Sequence, residues 1–276
     1  MPPELVLIAV LLAAGAVAGL TAGLFGIGGG AVMVPALFFA LGALGYDANV
    51  TMHVAVATSA AVIIVNGLRS STRHARLGSV DHGILALNRP LVSWGVWIGV
   101  GAFVAATLVA PRLSGQALTL LFVALAVGVG LQFIFGRPDV RLLESVPGGA
   151  APALGGSVIG GLSALMGIGG GSISVPLMRL AGVPMHRAVG TAAAIGVLIA
   201  VPATLGYMIS GQGVAARPPG TVGYVNIWGF AAIVAASLPA VPLGVRLAHR
   251  LDAAVLQRTF GVLLLVIAAN MARQAL

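Results

Sequence analysis

Two stretches decide how this chain reads: GLFGIGGGAVMVP at Gly23–Pro35 and ALMGIGGGSISVP at Ala164–Pro176. Each carries Gly-Ile-Gly-Gly-Gly, at Gly26–Gly30 and Gly167–Gly171, and a proline follows five residues later, Pro35 and Pro176. Leu24 pairs in register with Leu165, and Val34 with Val175. Working outward, HVAVATSAAV (His53–Val62) matches HRAVGTAAAI (His186–Ile195). A weaker pair, APRLSGQALTLLF (Ala110–Phe122) and AHRLDAAVLQRTF (Ala248–Phe260), keeps the same order. Matched blocks in one order mean a duplicated half. Residues 1–136 form the first half and 150–276 the second; residues 137–149 form a charged, proline-bearing cytoplasmic link. Duplicated apolar halves broken by glycine are the sequence mark of a secondary transporter.

Composition agrees. Charged residues make up 7% of the chain and apolar residues 59%, against roughly 25% charged in a soluble domain. Such a chain cannot cover a water-facing surface with polar groups, so it is an integral membrane protein in contact with the lipid bilayer. The net charge of +8 comes from arginine, with no lysine present. These arginines fall between apolar segments, where they set topology by the positive-inside bias, so nucleic acid is not an expected partner. The absence of cysteine excludes disulfides, thiolate metal sites and a cysteine nucleophile. Nothing in the sequence calls for a metal or a cofactor. Residues 4–24 lack the positive start of a cleaved leader and read as a retained membrane segment.

About 20 apolar residues cross a ~30 Å hydrocarbon core. By that measure the first half contains Leu5–Phe25, the short Ala31–Leu44, Thr51–Leu68, Pro90–Ala110 and Ala117–Phe135. The second contains Ala150–Met166, the short Ser172–Ala181, His186–Ile209, Tyr224–Leu247 and Ala253–Met271. Four glycines in five residues cannot hold a regular helix, since each costs about 1 kcal/mol relative to alanine. The expected fold is therefore an all-α polytopic membrane protein of two repeats, about five segments each. Each repeat opens with a glycine-tipped hairpin, either re-entrant or broken. Two ordinary spans joined by a surface turn are the alternative.

Counting segments through, Arg69, Arg73, Arg76, Arg89, Arg137, Arg141, Arg179, Arg187, Arg246, Arg250 and Arg258 fall on one side. Arg112, Arg217 and Arg273 fall on the other. The richer side is assigned to the cytoplasm, which places both termini outside the cytoplasmic membrane. An odd number of segments per half inverts the two repeats relative to each other, as in many alternating-access carriers.

The helices that follow the glycines begin with free N–H groups and a positive dipole end, a binding arrangement for anions. Candidate substrate contacts are Gly26, Gly28, Gly29, Gly30 and Ala31 in the first half, with Gly167, Gly169, Gly170, Gly171 and Ser172 in the second. Tight helix crossing is the competing use of such glycines. Alanine at Gly29 or Gly170 is expected to reduce binding more than folding. Thr58 and Thr191 occupy equivalent repeat positions and are candidate hydroxyl donors; a bond to their own helix is the alternative. His53 and His186, also equivalent, are candidates for proton coupling or for interfacial anchoring. Glu4, Asp47, Asp81, Asp139, Glu144 and Asp252 all map to ends or loops. Without an acid at depth, carboxylate-coupled cation transport is disfavoured.

The motifs GIGGGAVMVP and GIGGGSISVP, each with a His-x-Ala-Val-x-Thr block downstream, resemble those of the sulfite exporter TauE/SafE family of membrane permeases. The resemblance covers nearly the whole chain. It implies transport of a small sulfur-containing anion such as sulfite, sulfoacetate or another organosulfonate, and not an enzymatic activity. A channel-like anion facilitator is the alternative. An intramembrane serine hydrolase using Ser172 is more remote, because it would need a general base and only His186 lies nearby in sequence.

Overall fold

The computed structural model describes residues 3–26, 28–85, 93–136, 145–148, 150–248, 250 and 253–275. Ile27, Arg89, Pro90, most of the link with Arg137 and Arg141, His249 and Asp252 lie outside the described residues. The chain is almost wholly helical. The first half runs α1 (Pro3–Phe25), α2 (Gly30–Ala43), α3 (Ala48–Arg76), the one-turn α4 (His82–Leu85), α5 (Trp94–Val104) and α6 (Gly115–Phe135). The second runs α7 (Ser157–Met166), α8 (Gly171–Leu180), α9 (Met185–Ser210), α10 (Ile227–Ala248) and α11 (Ala253–Ala275). A short hairpin, β1 (Thr221–Val222) with β2 (Val225–Asn226), precedes α10. Wider π turns extend α5 at Ala105–Val109 and open α7 at Pro152–Gly156. Side-chain caps start α3, α5 and α6: Asp47 accepts from the Asn49 amide, Ser93 from Val96 and Ser114 from Ala117.

Among the described residues, six helices are long and apolar enough to cross a membrane: Ile8–Phe25, Ala48–Arg76, Trp94–Arg112, Gly115–Phe135, Met185–Ser210 and Ile227–Ala248. The second members of the two hairpins are shorter. α2 has 14 residues and α8 has 10, or about 21 and 15 Å at 1.5 Å per residue, well below a ~30 Å core. The protein is an all-α polytopic membrane protein.

Small residues let the backbones approach closely, the ordinary means of joining helices where lipid removes the hydrophobic drive. Gly15, Gly19 and Gly23 recur every fourth residue on α1 and lie against Ile233, Ser237 and Val241 of α10 in the same order. These two helices therefore run parallel, and their contact is backbone to backbone. The α5–α7 seam is built alike, with Gly101 against Ser157 and Gly160 against Ile98. In the sequence repeat α1 corresponds to α7 and α10 to α5, so the two seams are counterparts.

The central pair is α3 and α9. Gly67 of α3 faces Ala193 and Val197 of α9, Gly196 faces Ile63, and Gly190 near the start of α9 abuts Ser79 just beyond the end of α3. The two helices thus run antiparallel. α6 packs along α11, with Phe25, Phe133 and Phe260 clustered at the end of α1. One hydrogen bond, from Ser237 to the Asn66 side-chain oxygen at 2.9 Å, ties α10 to α3 inside the core.

The seam makes a direct prediction. A methyl group on Gly19 would overlap the Ser237 backbone, whereas one on Gly42 meets nothing within 4 Å. Gly19→Ala should lower the thermal unfolding temperature in detergent, at an overpacking cost of about 1–3 kcal/mol. Gly42→Ala, inside α2, should leave it unchanged or raise it.

Candidate functional site

The site begins with two buried turns. Gly26, Gly28 and Gly29 in the first, and Gly167 and Gly169 in the second, all have positive φ, between 61° and 82°. Left-handed backbone of this kind is open to glycine and costly for other residues. Each turn lies against the central helix of the other half. Gly26 abuts the carbonyl of Val189 on α9, and Gly167 abuts that of Val56 on α3. Val56 and Val189 are equivalent residues of the repeat. Gly28 packs on Ile63 near the middle of α3, and Gly170 on Ile195 and Ile199 near the middle of α9.

The two turns touch each other. Gly30 is so close to Gly167 and Ile168 that a methyl group on it would overlap the Gly167 carbonyl. That carbonyl accepts a hydrogen bond from Ser59 of α3 at 2.7 Å. The sequence put weight on Thr58; its neighbour Ser59 is the residue that contacts the turn. Between Gly30 and Gly167 the backbones are in contact, so open space lies to the side of this point.

α2 starts at Gly30 and α8 at Gly171, so the N–H groups of Gly30, Ala31, Gly171 and Ser172 belong to first turns, where no intrahelical acceptor exists. The repeated prolines add to this. Pro35 and Pro176 lie inside α2 and α8. Having no N–H, they leave the carbonyls of Ala31 and Ser172 without the bond that a regular helix would supply. Backbone polarity is therefore concentrated next to both turns.

The second turn also collects hydroxyls. Ser172 is 2% exposed and Ser174 4% exposed, both in the first turn and a half of α8. Ser163 stands one turn before the end of α7 and is equally buried. None of these three hydroxyls has a hydrogen-bond partner among the described residues. A buried hydroxyl left unpaired costs about 1–3 kcal/mol, and three around one helix start need a reason. Ser172 was a sequence candidate, and Ser174 stands two residues on in the same motif. Ser163 was not singled out, and its only signal is its place one turn before a glycine break. The first turn has no counterpart, because alanine or methionine stands at Ala22, Ala31 and Met33.

Thr58 and Thr191 have a different placement. Both are fully buried. The Thr58 hydroxyl accepts from the Asn226 amide at 2.9 Å, and that of Thr191 accepts from the Asp81 amide at 2.8 Å. Asn226 in turn caps α10 by accepting from Gly229, and Asp81 caps α4 by accepting from Gly83. Each threonine thus pins the cap of the helix that begins the next segment of the other half. Each hydroxyl accepts one bond there, and its O–H remains able to donate.

The equivalent histidines differ from each other. His53 is buried, stacks on Tyr224 with ring centroids 5.1 Å apart, and sets its two ring nitrogens 2.7 Å from the Asn49 carbonyl and 2.9 Å from that of Ala110. His186 is exposed in the first turn of α9, beside the Arg187–Asp81 ion pair of 2.9 Å. Burial raises the Tyr224 phenol above its ordinary range, with Arg217 opposing the shift, so the ring beside His53 is neutral.

Two cavities lie along the helices that follow the turns. One, of about 570 Å³, lies between α1, α2 and the start of α10, lined by Leu37, Ala40, Tyr46, Asn226 and Trp228 among others. The other, of about 140 Å³, lies between α7, α8 and the start of α5, lined by Trp94, Ile98, Ser174, Met178 and Ala181 among others. Leu37 corresponds to Met178, Ala40 to Ala181 and Trp228 to Trp94, so the cavities are counterparts in the repeat. The first adjoins the chain just before α3 and the second the chain just before α9. Since α3 and α9 run antiparallel, the cavities sit at opposite ends of the bundle.

A polytopic helical bundle with paired buried helix breaks and a cavity at each end is the architecture of a membrane transporter. The sequence matches the family described as Sulfite exporter TauE/SafE over residues 11–271. The chain belongs to that family. It is 30% identical over 260 residues to a "Probable membrane transporter protein" of Haemophilus influenzae, covering 94% of this chain and 96% of the relative. A protein of the same description from Methanocaldococcus jannaschii is 26% identical over 239 residues, 87% of this chain and 83% of the relative. "Probable membrane transporter protein YunE" of Bacillus subtilis is 30% identical over 221 residues, 74% and 79% of the two chains. No solved structure matches the chain. The family and these relatives carry transporter names, not enzyme names.

The turns separate two substitutions that the sequence grouped together. Gly29 has φ 82° and its added methyl would overlap the Ala18 backbone. Gly170 has φ −61°, and the nearest atoms to its methyl would be side-chain atoms, Ile199 Cδ1, Ile195 Cγ2 and, at 3.4 Å, the Ser174 hydroxyl, with no backbone among them. Gly29→Ala should therefore impair folding, seen as loss of the monodisperse peak in size-exclusion chromatography. Gly170→Ala should fold and remain suitable for binding measurements.

Proposed function

We propose that this membrane transporter moves a small sulfur-containing anion, sulfite or an organosulfonate, across the cytoplasmic membrane by alternating access. The observation that carries this reading is the amino end of α8. There a buried helix start, first-turn N–H groups without an intrahelical acceptor and the unpartnered hydroxyls of Ser172 and Ser174 occur together beside a cavity. A tetrahedral or pyramidal oxyanion accepts several hydrogen bonds at once, and a helix N-terminus with flanking hydroxyls supplies them without a formal positive charge. The amides of Gly169, Gly170, Gly171 and Ser172 are the primary donors. Gly26, Gly28, Gly29, Gly30 and Ala31 form the opposing half of the site, drawn in when the contact between Gly30 and Gly167 opens.

In this account the halves are inverted repeats, supported by the antiparallel course of α3 and α9 and by the paired seams. The two counterpart cavities serve as the vestibules of the two membrane faces. The larger, of about 570 Å³, lies toward the α2–α3 connection and the smaller, of about 140 Å³, toward the α8–α9 connection. By the arginine distribution the side of the α2–α3 connection is the outer one, which also places both termini outside. Thr58 and Thr191 act by holding helix caps across the halves. Of the two histidines, His53 is the candidate for proton coupling, because it is buried against elements of both halves, whereas His186 faces outward.

The test is a binding titration of purified protein with sulfite, sulfate, thiosulfate, sulfoacetate and taurine, followed by counterflow in proteoliposomes. A saturable sulfur oxyanion should accelerate counterflow. Hydrogen bonds to a charged partner contribute about 1.5–3 kcal/mol, so Ser172→Ala and Ser174→Ala should each weaken its affinity ~10- to 100-fold while raising or preserving thermal stability. Unchanged affinity in both folded variants would remove the site from α8. Flux without saturation or counterflow would replace the carrier with a channel.

A further inference from the structure

Away from the turns, Arg73, Arg76 and Leu77 at the end of α3 and Val245, Arg246 and Arg250 at the end of α10 line one concave pocket of about 450 Å³. Four guanidinium groups from two helices share this space. Among the described residues the one ion pair is Arg187–Asp81, which does not involve this pocket. Among the described residues none of the four is hydrogen-bonded or ion-paired to a protein acceptor. His74, between Arg73 and Arg76, is directed inward toward the Gly23 carbonyl of α1, and Val245 is buried, so the backbone beneath the pocket is anchored.

Topology alone does not require this arrangement. The positive-inside bias is met by arginines anywhere in a short loop, and the helix dipole is met by one cation per helix end. Neither calls for four like charges gathered around one concavity, where they repel one another. Such a cluster is stabilised by an anion that several guanidinium forks can grip, and planar bidentate recognition of phosphate is what arginine does best. The pocket also lies where two long apolar helices end. Leu68 on α3 and Leu243 on α10, each half exposed, continue from it along the apolar lengths of the same helices. Basic pockets between helix ends on the arginine-rich face are suited to anionic lipid headgroups.

We propose that this four-arginine pocket binds a phosphate-bearing anion, with a phospholipid headgroup as the source that its position favours. The pocket is separate from the anion path at the turns, and the proposal stands whether or not the transported solute is a sulfur oxyanion.

The experiment uses the full-length protein purified in detergent and measures binding and thermal stabilisation with four probes: short-chain phosphatidylglycerol, short-chain phosphatidylcholine, glycerol phosphate and inorganic phosphate. Three proteins are compared, the wild type, the double variant Arg76→Gln/Arg246→Gln, and Arg273→Gln as a control for loss of an exposed charge elsewhere. Phosphatidylglycerol should bind the wild type and Arg273→Gln saturably and well above phosphatidylcholine. In the double variant its affinity should fall ~10- to 30-fold, the effect of two arginines near a membrane surface. Weak binding of the two soluble phosphates assigns the site to lipid. Their binding with equal affinity and displacement of phosphatidylglycerol keeps the phosphate site and assigns a soluble ligand. Equal binding of the two lipids, or unchanged phosphatidylglycerol affinity in a folded double variant, overturns the proposal.

Discussion

The contact between Gly30 and the Gly167 carbonyl is the constraint on which the rest of this molecule depends. It joins two chain reversals buried among helices, and buried reversals leave polar backbone groups that must find partners. Here they are shared between halves. Each turn rests on the central helix of the other half, through Val56 and Val189, and Ser59 satisfies one exposed carbonyl. Positive φ at Gly26, Gly28, Gly167 and Gly169 lets the chain reverse without side chains that would hold the two turns apart. The prolines five residues on keep the following carbonyls out of the helical ladder. A tight, side-chain-free crossing and a concentration of unpaired backbone polarity are therefore two results of one local sequence.

Much of this was legible in the residues. The duplicated GIGGG stretches located both turns, and the apolar segments marked the helices to within a few residues: Ala31–Leu44 became α2, Ser172–Ala181 became α8 and Ala117–Phe135 became α6. The segment Thr51–Leu68 stopped eight residues short, since α3 continues through the polar turns of Arg69, Arg73 and Arg76; the rest follows from local composition, since length, apolarity and glycine content are properties of short windows. The family resemblance rested on the same strings, and the match over residues 11–271 establishes it.

What was not legible is the environment of equivalent positions. A repeat fixes register but not the neighbours that each copy meets. Thr58 and Thr191, expected as paired hydroxyl donors, also accept from cap residues of the other half, because the residues opposite them are Asn226 and Asp81. His53 is buried against Tyr224 while His186 is exposed, since the chain preceding α10 folds back as a hairpin and the chain preceding α5 has no such strand among the described residues. Gly29 and Gly170 are equivalent in sequence but have φ of opposite sign, so the two turns enter their helices differently. The unpartnered serines appear on one side alone because Ser172 and Ser174 replace Ala31 and Met33. These departures from symmetry arise in tertiary packing, which no window of sequence contains.

The most direct measurement is a cryo-electron microscopy map of the protein in lipid nanodiscs, where bilayer density gives the depth of each turn. The account predicts both glycine turns near the bilayer midplane, joined through Gly30 and Gly167 or parted around a bound anion at the start of α8. Either turn at the headgroup level, or the two separated by lipid or by an intervening helix, would contradict it.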